Sequence, residues 1–313
     1  MLRCLLAAFV LALVASVAPA ETRVTYKSAK SGSSYYQMAV QIAEAIKAGT
    51  DGGIIVTVEE SQGSVQNVKE APKRGANYVF TTPPSLIQQA VDGADPFKSD
   101  PGYAEIRALF PIPALTMHYV VRADSGVDDF ADLADKDFII GKGSFGARNA
   151  ESTFKAFGLE GKINLVDVEL EAAVPALQNG KVAGFATAGS YPAPNVLEAA
   201  AGTEIRLLSM SDEQLDLVKG AKLVIPAGTY PGVDYDVTTI SLPVGAYTSA
   251  ATDDATAYTL VKTYWEKKAA MNEANPWWGG VTPDMLSTLG AKLHPGALEY
   301  YQEAAIDVPA TLR

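Results

Sequence analysis

Two short polar stretches carry the residue types best suited to holding a small anion. Ser31-Gly32-Ser33-Ser34-Tyr35-Tyr36 follows an alternating run, Arg23 to Tyr26, and precedes a helical pattern. Gly141-Lys142-Gly143-Ser144-Phe145-Gly146-Ala147-Arg148 follows the apolar run Phe138-Ile139-Ile140 and opens a second helical pattern. A Ser/Gly loop at a helix start presents unpaired backbone N–H groups, and the helix dipole adds positive potential there, so both stretches can bind negative charge. Ser144, Gly146 and Ala147 are expected to offer amides, and Arg148 a bidentate cation. Ser33, Ser34 and Tyr35 offer hydroxyls and amides from the other stretch. Gly63 and Ser64, Thr81 and Thr82, and Gly189 and Ser190 complete the set of ligand-binding candidates, each at the end of a further strand-like run. The same residue types are also ordinary helix caps and turn formers. Tyr36 and Tyr191 either wall a pocket or pack in the core.

Catalytic and metal chemistry find no comparable pattern. Cys4 is the single cysteine, and His118 and His294 are the two histidines, without metal-ligand spacing. No Ser/His/Asp set stands in a recognisable nucleophile context. Gly141 to Gly146 fits the bare spacing G-x-G-x-x-G, but no acidic ribose partner is clearly placed after the next strand. The expectation is a binding protein rather than an enzyme, with no catalytic residue, no metal and no cofactor. An exported hydrolase is the enzymatic alternative.

The elements that must position these residues repeat. Thr22 to Tyr26 reads as a strand, Tyr36 to Lys47 as a helix burying Ala39, Val40, Ile42, Ala43 and Ile46, and Ile54 to Glu59 as a strand. A helix over Val65 to Lys73 and a strand over Asn77 to Phe80 follow, then a helix over Ser85 to Val91. Further on come strands at Ile106 to Phe110, Met117 to Arg122 and Phe138 to Ile140, a helix to Phe157, a strand at Leu165 to Val168, a helix at Glu171 to Gln178 and a strand at Gly184 to Ala186. Each half is thus a βαβαβ unit whose strands end in small polar residues, and ligands of open α/β sheets collect at such carboxyl ends. Two units facing one another make a cleft. Beyond Ala193 the pattern gives a helix, a strand at Ile205 to Leu208, a helix to Leu217, an irregular Pro/Gly/Tyr-rich stretch from Ile225 to Asp236, and a strand at Val237 to Leu242 before Pro243. Helices at Asp253 to Asn272, Pro283 to Leu289 and Gly296 to Ala305 end the chain. The pair Trp277-Trp278 is expected in the core or between the halves, with a contact surface for a membrane partner as the other reading.

Composition sets the compartment and the partners. Of 313 residues, 48% are hydrophobic and 19% charged, which is neither a disordered nor a membrane-spanning composition. The first twenty residues show Arg3, an apolar core from Leu5 to Val17 and the small-residue signal Ala18-Pro19-Ala20, the pattern of a Sec signal peptide cleaved after Ala20. Cys4 leaves with it, so disulfides and thiol chemistry are not expected, and the mature protein is expected in the periplasm. A formal net charge of −11 repels nucleic acid and anionic lipid. It does not exclude an anionic ligand, because a site works through local dipoles and a few cations.

Several stretches together carry a resemblance: Ser-Gly-Ser-Ser-Tyr-Tyr (31–36), Gln-Gly-Ser-Val-Gln-Asn-Val (62–68), His-Tyr-Val-Val-Arg-Ala-Asp-Ser-Gly-Val (118–127), Gly-Lys-Gly-Ser-Phe-Gly-Ala-Arg (141–148), Ile-Pro-Ala-Gly-Thr-Tyr-Pro-Gly (225–232) and Leu-His-Pro-Gly-Ala (293–297). In order and spacing they resemble the TAXI family of TRAP-transporter solute-binding proteins. The resemblance implies an α/β, type II-like periplasmic-binding-protein fold. It has two lobes, each built on a βαβαβ, mainly parallel sheet flanked by helices and joined by a hinge. Lobe one is expected at residues 21–120 plus 241–313 and lobe two at 121–240, with the hinge near Tyr119–Arg122 and Thr239–Leu242. It also implies capture of a small solute, chiefly a carboxylate such as glutamate or 2-oxoglutarate, by cleft closure. The partners implied are TRAP membrane permease subunits, with the chain itself a monomer. An ABC-importer binding protein of similar fold is the alternative transporter reading. Two departures from the family pattern stand out: the first loop carries Lys30 and several Ser rather than Gly, and Asn77 stands where an acidic residue is common.

Overall fold

A computed structural model describes residues 21–313; the expected signal peptide, residues 1–20, lies outside the described residues. The first half runs β1 (Thr22–Lys27), α1 (Ser34–Gly49), β2 (Ile54–Glu59), α2 (Ser64–Arg74) and β3 (Tyr78–Thr82). β1 pairs in parallel with both β2 and β3, giving the order β2-β1-β3. α1 lies on this sheet through Met38, Ala39, Ile42, Ala43 and Ile46. Val40, expected on that face, is 38% exposed: Met38, two residues earlier, takes the inward position that helical phase assigns.

After α3 (Pro84–Val91), the long strand β4 (Ile106–Arg122) leads into a second unit: β5 (Asp137–Ile139), α4 (Phe145–Ala156), β6 (Asn164–Val166), α5 (Ala173–Gln178) and β7 (Gly184–Gly189). β5 pairs in parallel with β6 and β7, giving β6-β5-β7. The two halves therefore repeat in topology as well as in order. In both, the first strand is central and the chain reverses direction across the sheet beside it, which opens a crevice at its carboxyl end.

Then come α6 (Pro194–Gly202), β8 (Ile205–Leu207), α7 (Asp212–Leu215), β9 (Ala221–Ile225), β10 (Val237–Ser249), α8 (Asp254–Ala274) and α9 (Pro295–Glu303). One hydrogen-bonded path joins everything, β2-β1-β3-β10-β4-β7-β5-β6, with β8 added to β4 and β9 to β10. The sheet is mixed, because β4 and β10 run antiparallel to their neighbours. Both change partners part-way. β4 pairs with β10 up to Thr116 and with β7 from Thr116 to Val121. β10 pairs with β9 up to Ser241 and with β3 from Gly245 to Tyr247.

The sequence pattern breaks these two crossing strands at proline, yet both run through it. β4 spans 17 residues across Pro111 and Pro113. The Tyr264 and Tyr35 hydroxyls donate to their carbonyls at 2.7 and 3.0 Å. β10 spans 13 residues across Pro243, at a register shift between Leu242 and Val244. Proline is tolerated in a sheet at such irregularities, where its missing N–H is not needed. β9, not anticipated from sequence, is a mostly exposed edge strand, and the expected helix after Pro283 is 3-10 over Pro283–Thr288. No helix among the described residues is long and apolar enough to cross a membrane.

Candidate functional site

A cavity of about 260 Å³ lies where the carboxyl ends of the strands in both halves face one another. The residues that cap α1, α2, α4 and α6 (Ser33, Gly63, Ser144 and Ala193) all line it. Ser33 Oγ accepts from the Tyr36 N–H at 3.2 Å, and Ser144 Oγ accepts from the Ala147 N–H at 2.9 Å. Each cap thus satisfies the third amide of its helix. The amides of Ser34 and Tyr35, and of Phe145 and Gly146, have no intrahelical acceptor at these positions. Four N–H donors and two positive dipole ends therefore border one cavity from opposite sides. Capping and anion binding are compatible duties of the same loops.

Close backbone approach shapes the site. A Cβ on Gly146 would sit 2.9 Å from Ala188 Cβ, so the start of α4 rests directly on β7. Gly141, with φ +75°, lets the chain turn against Leu170, whose Cβ is 2.9 Å from where a side chain would begin. Ser34 reaches across: its Oγ accepts from the Ser190 N–H at 3.1 Å. Lys30 Nζ lies 3.5 Å from Glu171 Oε1. With the Gln62 amide oriented to satisfy both its atoms, its nitrogen donates to Glu169 Oε2 at 2.9 Å and its oxygen accepts from Lys30 Nζ at 3.3 Å.

Of the candidate residues, Ser33, Ser34, Tyr35, Gly63, Ser64, Ser144, Gly146 and Gly189 line the cavity. Five candidates lie elsewhere. Ala147 spends its N–H on the Ser144 cap. Arg148, one residue further round the helix, points out of the cavity to the Asp95 carboxylate at 3.2 Å and the Asp95 carbonyl at 3.3 Å. Thr81 is buried; its hydroxyl donates to Tyr26 and its carbonyl accepts from Asn67 Nδ2. Thr82 turns its hydroxyl toward the Pro83 carbonyl. Ser190 meets Ser34 through its backbone and borders a separate groove with Tyr191 and Trp277, while its Oγ is buried without a hydrogen-bond partner. Tyr36 does not line the cavity, and Asn77 sits at the amino end of β3, away from it.

A profile of the NMT1-like family matches residues 27–304. The chain belongs to the NMT1-like family. Among solved structures it is similar to the periplasmic binding protein BugD, with 13% identity over 93% of this chain and 100% of that one and a TM-score of 0.57. It is also similar to a protein of Bordetella bronchiseptica RB50, with 14% identity over 94% of this chain and 85% of that one and a TM-score of 0.52. These likenesses establish the α/β periplasmic-binding-protein fold.

Several features of this NMT1-like chain's site escape sequence reading. Leu115, Ile140, Leu170, Val174 and Ala186 form apolar walls, and in sequence they look like ordinary core. Glu169 and Glu171 occupy the second-half position equivalent to Ser61–Ser64, so the repeat itself was the available signal. Asn67, fully buried on α2, donates to the carbonyls of Ser28 at 2.7 Å and Thr81 at 2.9 Å, which ties together the ends of β1 and β3.

Both histidines are structural. His294 caps α9 and contacts the Thr252 carbonyl at 2.9 Å. His118 Nδ1–H donates to the Thr116 carbonyl at 3.1 Å, leaving Nε2 to accept from the Tyr230 hydroxyl at 2.8 Å. That hydroxyl accepts in turn from the Ala193 N–H at 2.7 Å, so the relay fixes the start of α6 at the cavity wall. Burial lowers the His118 pKa from 6.5 to about 4. The unfolded chain therefore binds the proton more readily between these values. The contribution to stability is complete above pH 6.5 and is lost as the pH falls through about 4, a difference of about 3 kcal/mol. Urea unfolding at pH 7 and pH 4 should show wild type losing about 2–3 kcal/mol more than His118→Gln. Equal losses would rule the assignment out.

Proposed function

We propose that this NMT1-like chain is a periplasmic solute-binding protein that performs no chemistry. In this reading it captures a small carboxylate and delivers it to a TRAP permease of the TAXI type. The observation that carries the reading is the set of helix N-termini from both halves around one cavity. Oriented amides hold a carboxylate without burying a second formal charge. The order of six motifs along the chain supports the TAXI assignment, and the pattern of residues 1–20 supports export.

Residues 21–120 with 241–313 form one lobe and 121–240 the other, and ligand closes the cleft between them. The exchange of strand partners at Thr116 and Ser241 supports a hinge a few residues ahead of Tyr119–Arg122 on β4 and within Thr239–Leu242 on β10. The Ser34–Ser190 hydrogen bond, Lys30–Glu171 and Gln62–Glu169 are then contacts of the closed form.

The test is a melting-temperature screen of purified protein against amino acids and organic acids. Small carboxylates should raise the midpoint by mass action. No shift across a broad acid panel would sink the carboxylate reading. A large TRAP permease gene beside this one supports the partner, whereas an importer ATPase there overturns it. Ser34→Ala removes one cross-cleft hydrogen bond worth about 1 kcal/mol, so Kd should rise about fivefold by titration calorimetry. An unchanged Kd would remove Ser34 from the closed-state contacts.

A further inference from the structure

Among the described residues, the cavity has provision for one anionic group and little for a second. The starts of α1 and α4 offer four amides that no capping side chain takes; of the other helix starts on the cavity, α6 begins with Pro194, which has no N–H, and α2 follows Gln62, which holds Glu169. The apolar part of the lining is Leu115, Ile140, Leu170, Val174 and Ala186. Leu115, Ile140, Val174 and Ala186 are all buried. No arginine lines the cavity, and its two lysines already have partners. Lys142 is held by Asp167 at 2.7 Å, and Lys30 by Glu171 at 3.5 Å and by Gln62. Glu169, Glu171 and Glu198 also border the space, so the acids on the lining outnumber the cations. A second carboxylate would lose its hydration against aliphatic carbon, find no unpaired donor cation and be repelled by these glutamates. A hydrocarbon body in the same place exchanges water for apolar contact instead.

Resting on the carboxylate reading above, we propose that the solute is a monocarboxylate with a branched or ring-bearing apolar body, and not a dicarboxylate. Its carboxylate takes the amides of Ser34, Tyr35, Phe145 and Gly146, and its body lies against Leu115, Ile140, Leu170 and Val174. The acids implied by the family resemblance, glutamate and 2-oxoglutarate, then bind weakly.

Titration calorimetry on the full mature chain tests this with two pairs. 4-Methylpentanoate and succinate differ in whether the chain ends in two methyl groups or two carboxylate oxygens. 5-Methyl-2-oxohexanoate and 2-oxoglutarate make the same contrast with a 2-oxo group present. At least tenfold tighter binding of the monoacid in each pair is expected. Equal or tighter binding of the diacids overturns the proposal while leaving the carboxylate reading intact; binding of none of the four overturns both. Leu170→Lys, at a partly exposed wall position, places a cation in the apolar region and should narrow or invert the preference. The wild-type comparison stands on its own if that variant does not fold.

Discussion

Gly146→Val is expected to weaken ligand capture at least a hundredfold. The reason is geometric. The first added atom already lies 2.9 Å from Ala188 Cβ, closer than carbon atoms pack. Ala188 stands on β7, paired to Met117 of β4, and cannot yield without moving the sheet. The start of α4 must therefore lift, carrying the Phe145 and Gly146 amides away from the anion locus while the two methyl groups crowd the cavity. Overpacking of this kind costs about 1–3 kcal/mol of stability, so the protein remains folded and the binding defect is measurable by calorimetry. Arg148→Ala is the control. Its guanidinium pairs with Asp95 outside the cavity, and an exposed ion pair contributes little. Affinity within twofold of wild type is expected. A large loss on Arg148→Ala, with Gly146→Val tolerated, would reverse the assignment of these two neighbours.

Trp278→Ala has the largest expected effect on stability, about 3–5 kcal/mol. The Trp278 side chain is completely buried, and its Nε1–H donates to Gln41 Oε1 at 2.6 Å, which locks the segment after α8 onto α1. It packs edge-on against Tyr264, with ring centroids 6.0 Å apart, and Tyr264 stacks on Phe110 of β4 at 3.9 Å. Truncation removes the indole packed against the edge of this stack and leaves the Gln41 amide oxygen with only the longer Trp277 contact at 3.4 Å. Trp277, partly exposed on the groove beside Ser190, should cost far less when truncated. Urea unfolding of both variants measures the difference, and equal losses would show that the two indoles act as one unit.

The repeat of two βαβαβ halves was legible because most of the strands are short β-branched or apolar runs followed closely by Ser, Gly or Thr, with an acidic turn after β6. The loops that cap α1, α2 and α4 were legible for the same reason, and eight candidate residues drawn from this loop chemistry line the cavity. Orientation within a helix turn was not legible. Ala147 and Arg148 share a loop with Ser144 and Gly146, but the Ser144 cap consumes one amide and helical phase turns the other side chain outward. The apolar wall was hidden because Leu115 and Val174 carry no mark that separates a cavity wall from a core. The Ser34–Ser190 contact joins residues 156 positions apart and exists only once the halves meet. The unbroken β4 and β10 escaped because Pro111, Pro113 and Pro243 look like strand ends until the neighbouring strand and the tyrosine hydroxyls are in place.

The two prolonged strands have a mechanical consequence. β4 and β10 lie side by side where each exchanges partners, so the link between the halves is a ribbon two strands wide and not a pair of independent loops. Such a ribbon bends readily about an axis lying in its own plane across the strands, because that motion changes a few backbone dihedrals and keeps the ladder. In-plane sliding or splaying would break the bonds between Ser241–Leu242 and Leu115–Thr116. Pro243, at the register shift, contributes no ladder N–H and softens the allowed direction. On the proposed hinge, opening of the cavity follows a single angular coordinate, and one distance across its mouth, such as that from Lys30 to Glu171, reports it.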